Sequence, residues 1–189
     1  MPPKLTLMRR LFAPAIARGR NFARDDRGVT AIEFAILGLP FFTIIFAIIE
    51  TTMVFFAGQV LDSAVEDASR MLRTGRAQSS GYTMTEFRSL MCGYTFSLFN
   101  CDNIKIKVNV ISNFTSTTPP GSVQSCNTTT CTWTLSEAYS PGVGRDVVQV
   151  FAYYRWPLLV NLPYFNLKNQ PDNYRLLAAT RVFRNEPFS

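Results

Sequence analysis

Apolar side chains run almost unbroken from residue 29 to about residue 57. Between Phe34 and Ile49 no side chain is charged and Thr43 is the only polar one. At about 1.5 Å per residue, a helix of this length crosses a hydrocarbon core of roughly 30 Å. Glu50, Thr51 and Thr52 interrupt the far half. They face a partner helix or lie near the outer interface, and the pattern does not choose between the two. Pro40, two residues after Gly38, lacks an amide proton and clashes with the carbonyl four residues back, which predicts a kink or local melting. The pattern then becomes one-sided. Val60, Leu61, Ala64, Val65, Ala68, Met71 and Leu72 recur at three and four residues, with Asp62, Glu66, Asp67, Arg70 and Arg73 on other faces. Glu66 and Arg70 form an i,i+4 pair in the favourable order, and Gly75 is a helix stop. One helix is therefore expected over residues 28–74, its first half in lipid and its second half docked on a domain.

Beyond it, Thr83 and Glu86 fit a capping box ahead of Phe87, Leu90 and Met91, which predicts a short helix before Cys92. Ile104, Ile106, Val108 and Val110 alternate with Lys105, Lys107 and Asn109, a half-buried strand. Residues 115–130 are rich in threonine, serine, proline and asparagine and read as a loop. Residues 132–135 and 146–156 read as strands separated by a turn around Pro141-Gly142-Val143-Gly144. Residues 158–165 suit a short helix or an apolar loop. Residues 174–184 look like a final strand, although Leu176, Leu177, Ala178 and Ala179 would also suit a helix. The chain thus divides into a basic leader (1–28), a transmembrane helix (29–57), an amphipathic extension (58–77) and an α+β domain (78–189). The expected architecture is α+β, a long N-terminal transmembrane helix continuing into a domain with a small antiparallel sheet of about four strands. Strand order stays open.

The 189 residues suffice for one soluble domain and a membrane segment. Of the formal net charge of +6, +5 lies in residues 1–28, where seven basic groups meet Asp25 and Asp26. The nearly neutral remainder lacks the focused positive face that phosphate binding needs, so nucleic acid is not expected as a partner. Positive charge just before an apolar helix places the leader in the cytoplasm and the rest across the membrane. A secretory signal peptide fits less well, because the apolar run is too long and no A-x-A site follows it.

Cys92, Cys101, Cys126 and Cys131 all follow the membrane run. In an oxidising compartment an even count favours two disulfides, and of three pairings the local one, Cys92 with Cys101 and Cys126 with Cys131, is expected. A zinc site would need all four thiolates, since the chain has no histidine. The same absence excludes Ser-His-Asp and Cys-His chemistry. Gly142 and Gly144 lack the lysine and following helix of a phosphate loop. Glu86, Asp102, Glu137, Asp146 and Asp172 show no spacing that singles out a catalytic pair. No catalytic residue, metal or cofactor is expected. Asn113 and Asn127 match glycosylation acceptors, a pattern short enough to arise by chance. Phe151, Tyr153, Tyr154, Trp156, Tyr164 and Phe165 cluster late in the chain. Strand alternation puts Phe151 and Tyr153 on one face and Tyr154 and Trp156 on the other, where core packing explains most of them and an exposed subunit contact is the alternative.

Glu33 is the residue that this pattern leaves unexplained. A carboxylate in hydrocarbon costs roughly 2.5 to 3.5 kcal/mol at a helix centre and less near the interface. One reading keeps it in the headgroup layer. Another follows from its spacing: a cut after Gly28 makes Val29 a new N-terminus, with Glu33 one helical turn away and within reach of the ammonium group.

Gly28-Val29-Thr30-Ala31-Ile32-Glu33-Phe34 resembles the processing site of a prepilin, where a glycine ends the leader and a glutamate stands fifth in the mature chain. The aromatic Phe34 after Glu33 resembles the Tad (tight adherence, or Flp) branch of type IV pilins. Ala31-Ile32-Glu33-Phe34-Ala35 resembles its TadE-like minor pseudopilins. The resemblance extends to the apolar helix, the extension over 59–76 and the closing Ala179-Thr180-Arg181-Val182-Phe183-Arg184-Asn185-Glu186-Pro187-Phe188.

The resemblance implies a pilin-like outline and a leader removed by a membrane aspartic prepilin peptidase. It implies a mature, non-enzymatic protein of the bacterial inner membrane with its domain in the periplasm. Its implied partners are membrane lipid, other pilins or pseudopilins and the inner-membrane pilus assembly platform. Three alternatives remain: an uncleaved, membrane-anchored periplasmic scaffold or binding protein; a type II secretion pseudopilin, against which Phe34 and the closing residues argue; and a periplasmic enzyme, for which no site is located.

Overall fold

Two hydropathy patterns, one apolar all round and one striped, join in a single helix, α1 (Val29–Arg73). The computed structural model describes residues 28–117, 119, 121–159 and 166–188. The leader up to residue 27 and most of the segment 158–165 lie outside the described residues. α1 continues unbroken through Pro40, so the local melting expected there is not seen. Proline removes one hydrogen bond from the ladder, and the adjacent turns keep theirs. Thr43 Oγ1 also donates to the Leu39 carbonyl at 2.8 Å.

The chain forms two compact units, one ending at Phe46 and one beginning at Ala47. In the first, the large apolar side chains of α1 are exposed. In the second, α1 buries Glu50, Val54, Ala57, Leu61, Ala64, Val65, Ala68 and Leu72 along one stripe. The stripe begins at Glu50, within the residues whose hydropathy suits a membrane.

The stripe belongs to the same core as one face of a four-stranded sheet. The strands are β1 (Lys105–Ile111), β2 (Gln124–Cys126), β3 (Cys131–Trp133), β4 (Ala138–Tyr139), β5 (Val147–Pro157) and β6 (Tyr174–Arg184). The main sheet has the order β4-β1-β5-β6, and β2 and β3 form a separate hairpin. β1 and β6 run antiparallel to the central β5. Alternation sends Ile106 and Val108 of β1, Val148, Val150, Ala152 and Tyr154 of β5, and Leu177 and Ala179 of β6 into the core. Three alanines in the α1 stripe, Ala57, Ala64 and Ala68, leave room for the larger sheet residues.

Two features differ from the sequence reading. β4 is parallel to β1, with Lys107 opposite Ala138. A two-residue strand held by its neighbour carries no periodicity that could be read. Residues 115–130 are not all loop: β2 pairs with β3 in register Cys126 opposite Cys131. The turn between them is closed by Asn127, whose Oδ1 accepts from the amides of Thr129 at 2.9 Å and Thr130 at 2.6 Å. The expected strand over 132–135 is accordingly the shorter β3 of that hairpin and lies outside the main sheet.

Ion pairs fix the layers. Arg181 of β6 grips Asp62 of α1 through Nη1 at 2.8 Å and Nη2 at 2.6 Å, and its Nε also reaches Glu66. Glu66 therefore spends its charge on Arg181, because a planar guanidinium held by the sheet offers two acids a fixed fork. The hydrogen bonds that Arg181 donates to Asp62 raise its pKa above the ordinary value. After α1, Gly75 at φ +76° turns the chain into the short α2 (Arg76–Ser79). α3 (Met84–Gly93) starts at the expected capping box: Glu86 N donates to Thr83 Oγ1 and Thr83 N to Glu86 Oε2. The Thr83 amide holds the Glu86 carboxyl below its ordinary value. Glu137 ties α3 to the sheet, accepting from Arg88 Nη2 at 2.6 Å and Ile106 N at 3.0 Å, with Lys105 Nζ at 3.6 Å.

The closing residues return to the end of α1. Glu186 N donates to the Arg73 carbonyl at 2.8 Å, and Asn185 Nδ2 donates to the carbonyls of Pro141 and Val143, both at 3.0 Å. The Phe188 ring sits against Gly75, where a Cβ would lie 2.5 Å from Cγ. Gly75→Ala meets both the left-handed backbone penalty and that ring, and should destabilise the protein by about 2 kcal/mol. Gly93→Ala, where a Cβ meets nothing within 4 Å, should change stability by less than about 0.5 kcal/mol. Thermal unfolding of the detergent-solubilised full chain, followed by near-ultraviolet circular dichroism, separates the two.

Burial pushes the Glu137 carboxyl up, but the Ile106 amide, Arg88 and Lys105 outweigh it and hold the pKa below the ordinary carboxylate value. A carboxylate with a depressed folded pKa stabilises fully above its unfolded pKa and loses that contribution as pH falls through the folded value. Glu137→Gln should cost about 1 kcal/mol at pH 7 and progressively less below about pH 4.5. Urea unfolding at pH 7 and at pH 3 measures the difference.

Candidate processing and assembly site

Gly28 lies just before α1 and Val29 opens it. A Cβ on Gly28 would meet nothing within 4 Å, so packing makes no demand for glycine there. The Gly28–Val29 bond is exposed on both sides, as is every residue from Thr30 to Leu37. Among the described residues nothing shields this bond from a second protein.

Glu33 follows Val29 by four residues, a rise of about 6 Å, so the two share one face of the helix. Glu33 is exposed and has no hydrogen-bond or ion-pair partner among the described residues. A carboxylate in the first turns also sits at the favourable, positive end of the helix dipole. Phe34 is 70 % exposed. Its ring lies over Gly38, where a Cβ would be 3.8 Å from Cε1. Gly28, Val29, Glu33 and Phe34 thus form one accessible strip, with an unpaired acid one turn from a backbone nitrogen that becomes an amine if the bond is cut.

Each cysteine lies beside its local neighbour. Cys92 and Cys101 have Cα atoms 5.8 Å apart, and Cys126 and Cys131 4.0 Å, both paired as disulfides. The first pair joins the end of α3 to the turn before β1, and the second closes the β2–β3 hairpin.

The aromatic cluster divides across β5 as alternation requires; among the described residues Phe151, Tyr153 and Tyr154 are buried and Trp156 is half-buried. Tyr154 packs edge-on against Phe99 at 4.7 Å, and Phe99 also meets Trp156 at 5.7 Å. Phe151 and Tyr153 stack at 6.2 Å on the opposite face and are buried too. Burial raises the Tyr153 pKa. The central strand of a sheet is flanked on both sides, so its rings are covered even on the face away from the helix. Tyr164 and Phe165 lie outside the described residues.

Sequence reasoning missed two polar anchors. Arg155 donates from Nε to Gln170 Oε1 at 3.1 Å and from Nη1 to the Cys131 carbonyl at 3.1 Å, pairs with Asp172 and lies 4.8 Å from the Tyr174 ring centroid. Its charge is used within the fold. Glu50 is 5 % exposed and accepts from the Leu159 amide through both carboxylate oxygens, at 3.0 and 3.3 Å. The signal for Glu50 was its phase, since it stands four residues before Val54 and seven before Ala57 on the buried stripe.

Comparison with known families gives a match at the N-terminal side of the chain. Residues 28–70 match the family model described as TadE-like protein. Neither a curated protein nor a solved structure matches the chain. The matched residues start at Gly28, hold Glu33 and Phe34, and run through most of α1; the closing segment 179–188 lies beyond them. Residues 28–70, the segment that carries the accessible strip and the long apolar helix, are similar to the TadE-like family.

Proposed function

We propose that this protein is a minor pseudopilin that acts in the assembly of a Tad/Flp-type adhesive pilus. α1 anchors it in the inner membrane with the leader cytoplasmic and the domain periplasmic. A prepilin peptidase cuts after Gly28, and the mature chain acts as a structural, non-enzymatic subunit beside other pilins or pseudopilins and the assembly platform. The observation that carries this reading is the register of Glu33. It is the one acid at the head of a helix with a mean hydropathy of 2.4 over its most apolar window, and it stands where a new Val29 amine would meet it. The TadE-like match supports the pilus setting, since it begins at that glycine.

Before the cut, Glu33 is held near the headgroups, where water solvates it. After the cut, the Val29 ammonium and the Glu33 carboxylate neutralise each other, and the helix head can move into an apolar environment at a much lower desolvation cost. Removing one partner leaves the other charge unpaired, which opposes entry into an assembly far more than it opposes membrane insertion.

Mass spectrometry of the protein extracted from membranes of cells with an active prepilin peptidase should find Val29 as the first residue. A chain that still carries residues 1–28 contradicts the reading. Glu33→Ala should leave the amount of membrane-inserted protein unchanged and lower pili per cell severalfold, counted by electron microscopy. Normal piliation in that variant refutes the assembly role.

A further inference from the structure

The domain end of the apolar run poses a separate question. Apart from Glu50, no side chain between Phe34 and Leu61 is charged. A hydrocarbon core takes roughly 20 helical residues; counted from Val29 they end at Ile48, and counted from Phe34 at Met53. Glu50 falls between those limits, at the boundary of hydrocarbon and headgroups. It is also where the domain begins to pack on the helix.

Leu159 is tied to that level. Its amide donates to both Glu50 oxygens, at 3.0 and 3.3 Å. The preceding Leu158 is buried and fixed by Asn173, whose carbonyl accepts from Leu158 N at 3.1 Å and whose Nδ2 donates to the Leu158 carbonyl at 2.8 Å. The Leu159 side chain is left outside, 82 % exposed. On α1, Phe55 is 65 % and Phe56 55 % exposed. Successive helical positions are about 100° apart, so these two rings and Leu159, on the Glu50 side, point in three directions around the helix.

The polar side chains of Glu50, Thr51 and Thr52 bond to backbone groups of the protein. Thr51 and Thr52 donate their hydroxyls to the carbonyls of Ala47 and Ile48, at 2.7 and 2.8 Å. Glu50 is covered and bonded to a backbone amide. This is how a chain satisfies its polar groups where water is scarce. A surface apolar on several sides of one helix suits a fluid solvent, whereas a protein partner fits one face.

We propose that Leu159, Phe55 and Phe56 form an apolar collar that sits in the outer leaflet, so that the domain is seated in the membrane interface by its Glu50–Leu159 contact. The proposal rests on the membrane reading of α1 and goes beyond it by assigning lipid as the partner of the domain's own edge. Lipid contact fixes the height of the domain above the bilayer. Glu50 acts by holding the β5 end against α1 at that height, with its charge kept from hydrocarbon.

The test uses the full chain, native cysteines oxidised, in vesicles of phosphatidylethanolamine and phosphatidylglycerol. A bimane label is placed through Leu159→Cys, Phe56→Cys, Ile44→Cys within the apolar run, or Val143→Cys, which is 68 % exposed on the turn before β5. Near-ultraviolet circular dichroism identical to the parent qualifies each variant, and Phe56→Cys stands in should Leu159→Cys not fold. Lipids carrying a nitroxide at carbon 5 should quench positions 159 and 56 severalfold more than position 143, and aqueous iodide should show the reverse order. Iodide access at 159 equal to that at 143, with position 44 quenched by lipid, overturns the seated domain and leaves the membrane span intact. Iodide access at both 44 and 159 overturns the membrane reading and this proposal together. Shielding of 159 from both quenchers means that another protein covers it, which overturns lipid as the partner.

Discussion

A helix long and apolar enough to enter hydrocarbon would have no water there to satisfy its polar side chains, so a polar group in its apolar run needs a partner within the protein or a place at the edge. Thr43, Thr51 and Thr52 return their hydroxyls to carbonyls four residues back. Glu50 takes the Leu159 amide. Each solution is local or reaches one fixed point of the domain, and each removes a cost of the kind that an unsatisfied group pays in an apolar medium. Of the two carboxylates in the apolar run, Glu33 is the one with no such partner among the described residues. The function proposed here follows from that exception, because proteolysis is the event that would create one.

Past Glu50 the same helix answers to a different constraint. Its stripe from Val54 to Leu72 must match one face of β1, β5 and β6, and the fit is set by alternating sheet residues against a line of small and branched helix residues. Arg181 then fixes register along the helix by gripping Asp62 and Glu66, about one turn apart. The closing residues fasten the C-terminal end of α1, with Glu186 taking up a free carbonyl at Arg73 and Phe188 filling the space that Gly75 leaves. A segment that looked like a family signature in the sequence is, in the folded chain, the strap that ends the long helix.

Much of this was legible because it is periodic or locally capped. The stripe over 60–72, the alternation of Ile104 to Val110, the Thr83–Glu86 box and the Gly75 stop all encode structure within a few residues, and the corresponding elements lie where those signals put them. Three kinds of feature were not legible. β4 is too short to show a period. The β2–β3 hairpin hides in a threonine-rich stretch whose turn depends on Asn127 and on its flanking cysteines. The anchors Glu50–Leu159, Glu137–Arg88 and Arg181–Asp62 join residues far apart in sequence, and no local rule pairs them. The strip at Gly28, Val29, Glu33 and Phe34 is proposed from spacing along one turn, and the fold adds only that it is exposed.

The account stands on the pairing of a new amine with an old acid. The direct measurement is a solid-state nuclear magnetic resonance distance between the 15N-labelled Val29 amine and the 13C-labelled Glu33 carboxyl carbon, in the processed protein in bilayers. A separation of about 4 Å, that of an ion pair, with the carboxylate ionised is the result predicted. A separation beyond about 7 Å, or a carboxyl that stays protonated at neutral pH, contradicts it, since Coulomb attraction across that gap no longer offsets the cost of taking either charge out of water.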